Sequence, residues 1–237
     1  MNQRSPGFSE TDEVRRRYAR RQSQVDRRMY RPMNPAVWQA VQERERAMFR
    51  LFSELGWDDL SSMNLVEVGC GGGTNLLELL QLGFLPENLT GIELLEDRLA
   101  HARHVLPQAI RLIAGDACAA PVEAGRHDIV LQSTVFSSLL DESFQQRLAD
   151  RMWRWLRPGG GVLWYDFTYD NPSNADVVGI PVRRIRALFP TARLRVQRVT
   201  LAPPINRLVT RIHPALYSAF NLLPVLRTHV LAWIEKS

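Results

Sequence analysis

One stretch narrows the possible folds of this chain more than any other. Val66-Glu67-Val68 reads as a short buried strand. It runs into Gly69-Cys70-Gly71-Gly72-Gly73, four glycines within five residues, and a helical pattern opens at Thr74. Glycine tolerates positive φ and carries no side chain to keep a ligand away, while the first amides of the next helix point at whatever lies there. Strand, glycine turn and helix in that order open an α/β sheet whose ligand sits at the carboxyl ends of the strands.

The rest of the chain keeps this rhythm. Residues 89–93, 110–114, 127–132 and 161–166 read as strands, and 74–82, 95–105 and 141–156 as helices. Such alternation predicts a mostly parallel sheet with helices on both faces. Upstream, residues 10–31 form a charged helical pattern. Asn34-Pro35 then opens a second helix, with Asn suited to the cap and Pro to the first helical position, and Gly56 closes it. Downstream, 181–189 reads as a short helix, and 193–201 and 228–235 as the last strands. Between those strands, residues 202–227 hold Pro203, Pro204, Pro214 and Pro224 among Leu, Ile, Phe and Tyr, the pattern of broken helices capping a site. Residues 1–58 are therefore expected to form a helical arm or lid. Residues 59–237 form the α/β domain, with 202–227 as its helical insertion.

Composition excludes several classes. At 45% hydrophobic and 23% charged residues the chain can build a core, so wholesale disorder is out. No apolar run approaches the length of a membrane span. No hydrophobic stretch follows the charges of the N-terminus, so a cytoplasmic location is expected, with peripheral membrane contact open. Cys70 and Cys118 are too few for a disulfide framework or a metal cluster, and no metal is expected. Cys70 reads as a small loop filler.

Charge is unevenly spread. Of the 30 basic residues only Lys236 is lysine, and the first 31 residues hold nine arginines against Glu10, Asp12, Glu13 and Asp26. The remainder sums to zero. A neutral body with a basic tail is not the footprint of a nucleic-acid enzyme, whose basic groove belongs to the body. Residues 1–31 are expected to meet an anionic group or a membrane surface, or to remain a solvated tail. Their apolar stripe is thin, so their order is expected to depend on a partner.

Glu93 ends the second strand twenty residues after Gly73, where a carboxylate can accept from both hydroxyls of a ribose. The dinucleotide fingerprint would need a third glycine or alanine at position 74, which is threonine, so no pyrophosphate is implied. Two further landmarks are Ala114-Gly115-Asp116-Ala117 after the third strand and Leu156-Arg157-Pro158-Gly159-Gly160 before the fifth. With these four features in order, the chain resembles the class I methyltransferases that use S-adenosyl-L-methionine, well over residues 60–166 and loosely over the last strands.

The resemblance implies a Rossmann-like, doubly wound sheet of seven strands. It further implies that Gly69, Gly71 and Gly73 lie along the methionine end of the cofactor, Glu93 holds the ribose, and Asp116 with Ala117 the adenine. Glu67 would order the loop or meet the cofactor ammonium through water, and Gln132 would present its backbone near the sulfonium. Family members that methylate amino groups of nucleobases or glutamine carry Asn or Asp followed by Pro-Pro and an aromatic residue after the fourth strand. Here that position reads Gln132-Ser133-Thr134-Val135-Phe136, which disfavours that acceptor class. A hydroxyl acceptor on a small or lipid-linked molecule, a glycan intermediate or a secondary metabolite, is expected, with nucleic acid unexpected and oligomeric state open. The alternatives are an RNA or protein methyltransferase guided by the arginine-rich arm, or a non-catalytic methyltransferase-like partner subunit.

A hydroxyl acceptor calls for a base. Asp166, ending the fifth strand, and His213, in the proline-broken segment, are the candidates, with His229 opening the last strand. Asp166 has the alternative of anchoring the loop behind it, and each histidine that of a cap or a half-buried ring.

Overall fold

The computed structural model describes residues 9–24, 31, 33–172 and 174–237. β1 (Leu65–Val68) and β2 (Leu89–Glu93) are buried along their whole length. A strand covered on both faces favours apolar residues, so Glu67 in β1 and Thr90 and Glu93 in β2 stand out as polar side chains buried among them. They join β3 (Arg111–Ala114), β4 (His127–Ser133), β5 (Leu156–Phe167), β6 (Arg193–Leu201) and β7 (Arg227–Glu235) in one sheet of order β3-β2-β1-β4-β5-β7-β6. The pairs within β1 to β5 are parallel, and β7 runs antiparallel to both β5 and β6. The expected seven-stranded, mostly parallel sheet is the one observed.

One boundary differs from the sequence reading. β5 starts at Leu156, which pairs with His127, and the register then shifts so that Ile129 meets Gly161. The Pro158-Gly159-Gly160 segment is therefore an irregularity inside the strand, and not a turn ahead of it. Gly159 and Gly160 exchange backbone bonds with Lys236 at 2.9 and 2.8 Å.

Four helices flank the sheet: α3 (Thr74–Gln81), α4 (Glu96–Val105), α5 (Glu142–Trp155) and α6 (Val182–Leu188). One face packs Phe136, Met152, Trp155 and Trp164, the other Leu65, Leu76, Leu79 and Trp233. α2 (Pro35–Glu54) is capped by Asn34, whose side chain accepts from Ala36 N at 3.0 Å, and it adds Ala47, Met48, Leu51 and Phe52 to the second core. The insertion between β6 and β7 forms α7 (Pro203–Ile212) and α8 (Ala215–Asn221) around a small core of its own, Leu201, Val209 and Tyr217. Asn206 Nδ2 donates to Ala36 O at 2.8 Å, so α2 and α7 meet over the carboxyl ends of β5 and β6 and the start of β7.

The arm holds a surprise in its chemistry. α1 (Glu10–Gln24) does dock on the sheet, and the apolar stripe is only part of the reason. Val14 is buried, but so is Arg17, which donates to Glu10 Oε1 at 2.6 Å and to Ser138 O at 3.1 Å. Glu10 Oε1 also accepts from Leu140 N at 2.8 Å. A buried ion pair leans on further hydrogen bonds. Here Arg17 Nε has no partner among the described residues, while the bonds to Ser138 O and from Leu140 N span 121 and 130 residues, beyond any local pattern. Residues 25–30, the rest of the expected helix, lie outside the described residues.

Candidate active site

The glycine loop shapes the first cavity. Gly69 has φ +67, and a β-carbon there would sit 2.7 Å from Val135 Cγ2, the wall contributed by the loop after β4. Gly71, at φ +56, donates its N–H to Glu93 Oε2 at 2.7 Å. Gly73, at φ +89, caps α3, and a β-carbon on it would strike Leu106 at 2.7 Å, so its lack of a side chain is also required by helix packing. Cys70 is buried and burial pushes its thiol upward, the inert filler expected.

Glu93 is buried at the end of β2, bonded to Gly71 N and to Leu95 N at 2.8 Å, and lines the cavity. Asp116 caps a short turn by accepting from Cys118 N at 2.8 Å, and with Ala117 it lines the same cavity. Gln132 is fully buried. Its Oε1 accepts from Val135 N at 3.1 Å and its Nε2 donates to Tyr165 O at 3.3 Å, so its neighbours Ser133, Thr134 and Val135 form the wall in its place. On the outer side Arg98 lies 4.4 Å over the Tyr18 ring of α1. The arm therefore borders this cavity, and its buried arginine faces Glu10 and Ser138.

Glu67 lies beneath the loop, fully buried. Its Oε1 accepts from Asn75 Nδ2 at 2.5 Å, and its Oε2 has no partner among the described residues. Burial pushes its carboxyl up to about 8. The folded form thus holds this proton more tightly than the unfolded chain does, and the contribution is lost as pH rises from about 4.5 to about 8. Glu67→Gln should therefore raise Tm at pH 8.5 by roughly 2–8 °C, for about 1–2 kcal/mol, and change little at pH 4.5. Thermal melts at both pH values check this, and equal shifts at both would refute the burial account.

A nucleoside ligand with an ammonium group fits these residues: a carboxylate ending β2, another after β3, a loop open to close approach, and an orphaned carboxylate oxygen beneath it.

A second cavity of about 280 Å³ lies under α2 and α7 and shares Thr134 with the first. Thr134 has φ +56, held in that conformation at the end of β4. Ala40, Val41 and Leu201 line the cavity with Arg44, Tyr165 and His229. The Tyr165 and His229 rings stack at 5.1 Å and 17°, and the Arg44 guanidinium lies 5.4 Å from the Tyr165 centroid. Tyr165 Oη lies 2.9 Å from Thr200 Oγ1, and Glu43 Oε2 accepts from Thr200 N at 2.9 Å. Burial first, and the Arg44 charge second, press His229 down to about 4, so its ring is neutral near pH 7.

Neither Asp166 nor His213 lines either of these two cavities. Asp166 is fully buried, with Oδ2 accepting from Ser137 N at 3.1 Å and Oδ1 from Phe167 N at 3.0 Å, while burial raises its carboxyl to about 7. It anchors the loop behind the wall. His213 is exposed in the joint between α7 and α8, where its Nδ1 accepts from Ala215 N at 3.2 Å, a cap. Because β7 runs antiparallel beside β5, the start of β7 lies at the carboxyl edge, and His229 is the histidine brought to the cavity. Among the described residues no cluster of His, Cys, Asp or Glu is placed to hold a metal ion.

The sheet order and the site at the carboxyl ends of β1 to β4 define a nucleoside-binding α/β fold of the class I methyltransferase type. Residues 65–160 match the family model described as a methyltransferase domain. A tRNA N(3)-methylcytidine methyltransferase, Mettl2 of Drosophila melanogaster, is 28% identical over 116 residues, 46% of this chain and 35% of that protein. The chain thus spans about a third of the length of this curated relative. An S-adenosylmethionine-dependent methyltransferase from Mesorhizobium loti superposes with a TM-score of 0.59 at 15% identity, covering 80% of this chain and 98% of that one. Phosphoethanolamine N-methyltransferase 2 from Haemonchus contortus, in complex with S-adenosyl-L-methionine, gives 0.63 at 14% identity over 98% and 61%. Residues 65–160 thus carry the match to a methyltransferase domain, and the sheet as a whole has the fold of the class I S-adenosylmethionine-dependent methyltransferases.

Proposed function

We propose that the protein transfers a methyl group to a hydroxyl of a small or lipid-linked acceptor, a glycan intermediate or a secondary metabolite, held in the cavity under α2 and α7. The observation that carries this reading is the shared Thr134, which makes that cavity the neighbour of the cofactor pocket. The cofactor supplies a methyl on a sulfonium, displaced in line with a neutral leaving group. The protein must therefore align the acceptor, exclude water and receive one proton.

His229 is suited to the proton. Its Nδ1 lies 3.1 Å from Thr228 Oγ1, which leaves Nε2 for the acceptor hydroxyl, and the ring is uncharged near pH 7. Stacking on Tyr165 fixes its plane. Apolar groups of α2 and Leu201 keep water out. The Gln132-to-Phe136 segment supports a hydroxyl over an amino acceptor, since it lacks the Pro-Pro pair.

A second reading, methylation of RNA, rests on the similarity to the Drosophila enzyme. Incubating the full chain with methyl-labelled cofactor and, separately, a lipid extract, polar metabolites and tRNA distinguishes them. Label in an O-methyl product of the lipid or metabolite fraction is the expected result; label confined to tRNA would overturn the proposal.

A further inference from the structure

The insertion between β6 and β7 has an inner side packed on Leu201, Val209 and Tyr217 and an outer side of a different kind. On α7 the exposed positions Arg207, Leu208, Arg211 and Ile212 form one helical stripe that pairs arginines with aliphatic residues. Leu208 and Ile212 are 64% and 72% exposed, and Leu222 and Val225, after α8, are each 76% exposed. Single exposed apolar residues are ordinary, but a concentration on one short segment marks a contact surface. The segment also touches the site: Arg207 lines the second cavity, and exposed Trp38 follows Val37, another lining residue.

Charge identifies the partner. Residues 177–234 hold nine arginines and neither Asp nor Glu. The neutral sum of the chain beyond residue 31 conceals this segregation. Aliphatic side chains interleaved with arginine, and a tryptophan nearby, are what a helix lying in the headgroup region of an anionic bilayer requires. Arginine stems lie along apolar surface while their guanidinium groups reach phosphate.

We infer that the outer face of the 202–227 insertion docks on the surface of an anionic phospholipid bilayer. Leu208, Ile212, Leu222 and Val225 enter the boundary between headgroups and acyl chains, and Arg207 and Arg211 meet lipid phosphates. α7 has ten residues, about 15 Å at 1.5 Å per residue, so the contact lies within one leaflet. RNA would be met by the arginines and by stacking rings, and it gains nothing from exposed Leu, Ile and Val. A second copy across a two-fold axis would set arginines against arginines. Docking presents the mouth of the second cavity to the membrane surface. That last consequence rests on the proposed acceptor reading, whereas the docking itself does not.

Co-sedimentation of the full chain with vesicles tests this without any turnover, so failure of the acceptor assignment leaves it readable. Vesicles of phosphatidylglycerol and phosphatidylcholine should bind at least tenfold more tightly than phosphatidylcholine alone. The double variants Leu208→Ser/Ile212→Ser and Leu222→Ser/Val225→Ser should each lower binding tenfold or more, with unchanged circular dichroism and unchanged affinity for S-adenosylhomocysteine. Arg207→Gln/Arg211→Gln should abolish the preference for the anionic lipid. Vesicle binding unaltered in both apolar variants, tRNA binding without vesicle binding, or a dimer in solution dispersed by the same substitutions would each overturn the inference.

Discussion

Glu93→Ala is expected to weaken S-adenosylhomocysteine binding by roughly 10²–10⁴-fold, measured by calorimetry, while the protein remains folded. The side chain has two tasks. Its carboxylate accepts from Gly71 N and Leu95 N at 2.7 and 2.8 Å, tying the glycine loop to the end of β2 and the start of α4. It also lines the cavity, where its expected role is to accept from ribose hydroxyls. Hydrogen bonds to a charged group contribute about 1.5–3 kcal/mol each. Losing the loop bond and a ribose bond together gives the expected range. Glu93→Gln should fall between, since the amide oxygen still accepts but its nitrogen meets a donor. NAD should give no heat with either form, because the loop has threonine at position 74, where the dinucleotide fingerprint needs the glycine or alanine that lets helix and strand pack closely. Affinity within threefold of the parent, in a variant whose circular dichroism is unchanged, would remove Glu93 from this role.

The cofactor half of the molecule was legible because its determinants are local. Four glycines in five residues after a buried strand state a turn, a helix start and an open approach in one stretch, and the strands of the sheet core declare themselves as apolar runs. At β5 the local signal and the structure part: Pro158-Gly159-Gly160 carries turn residues, yet Lys236 from the far end of the chain pairs with it and extends the strand. Gly73 was placed with the ligand by position alone, and only the packing of Leu106 reveals its other task.

The acceptor half was less legible because its parts meet only through topology. Asp166 is a carboxylate at the end of a strand, as a base would be. Its side chain, however, points into the core toward Ser137 N, and which face a strand residue takes is set by register. His213 and His229 are equivalent in sequence, each near a proline-broken segment. The antiparallel return of β7 beside β5 separates them. Arg17 illustrates the same limit in the arm, since its partner Ser138 lies 121 residues away. Summing charge over long segments likewise hid the stretch from 177 to 234.

His229→Ala should lower turnover on a hydroxyl acceptor by roughly 10²–10⁴-fold, the range for removing a positioned proton acceptor, and leave S-adenosylhomocysteine affinity within twofold. The second half of that expectation follows from placement: His229 lines the cavity beyond Thr134 and not the pocket that holds Glu93 and Asp116. The pH profile separates this base from Asp166. The neutral imidazole is the active form, and burial with the Arg44 charge holds its pKa at about 4, so kcat/KM should be level from pH 5.5 to 8 and fall only as pH approaches 4. A base at Asp166, whose carboxyl sits at about 7, would instead give a limb near neutrality. The same depression makes the fold lose stability as pH drops from about 6.5 toward about 4, because the unfolded chain takes up the proton first. Melts recorded at each pH therefore accompany the rates and distinguish titration of the base from unfolding. A limb near pH 7 that disappears in Asp166→Asn would return the proton to Asp166, and full turnover by His229→Ala would remove His229 from the reaction.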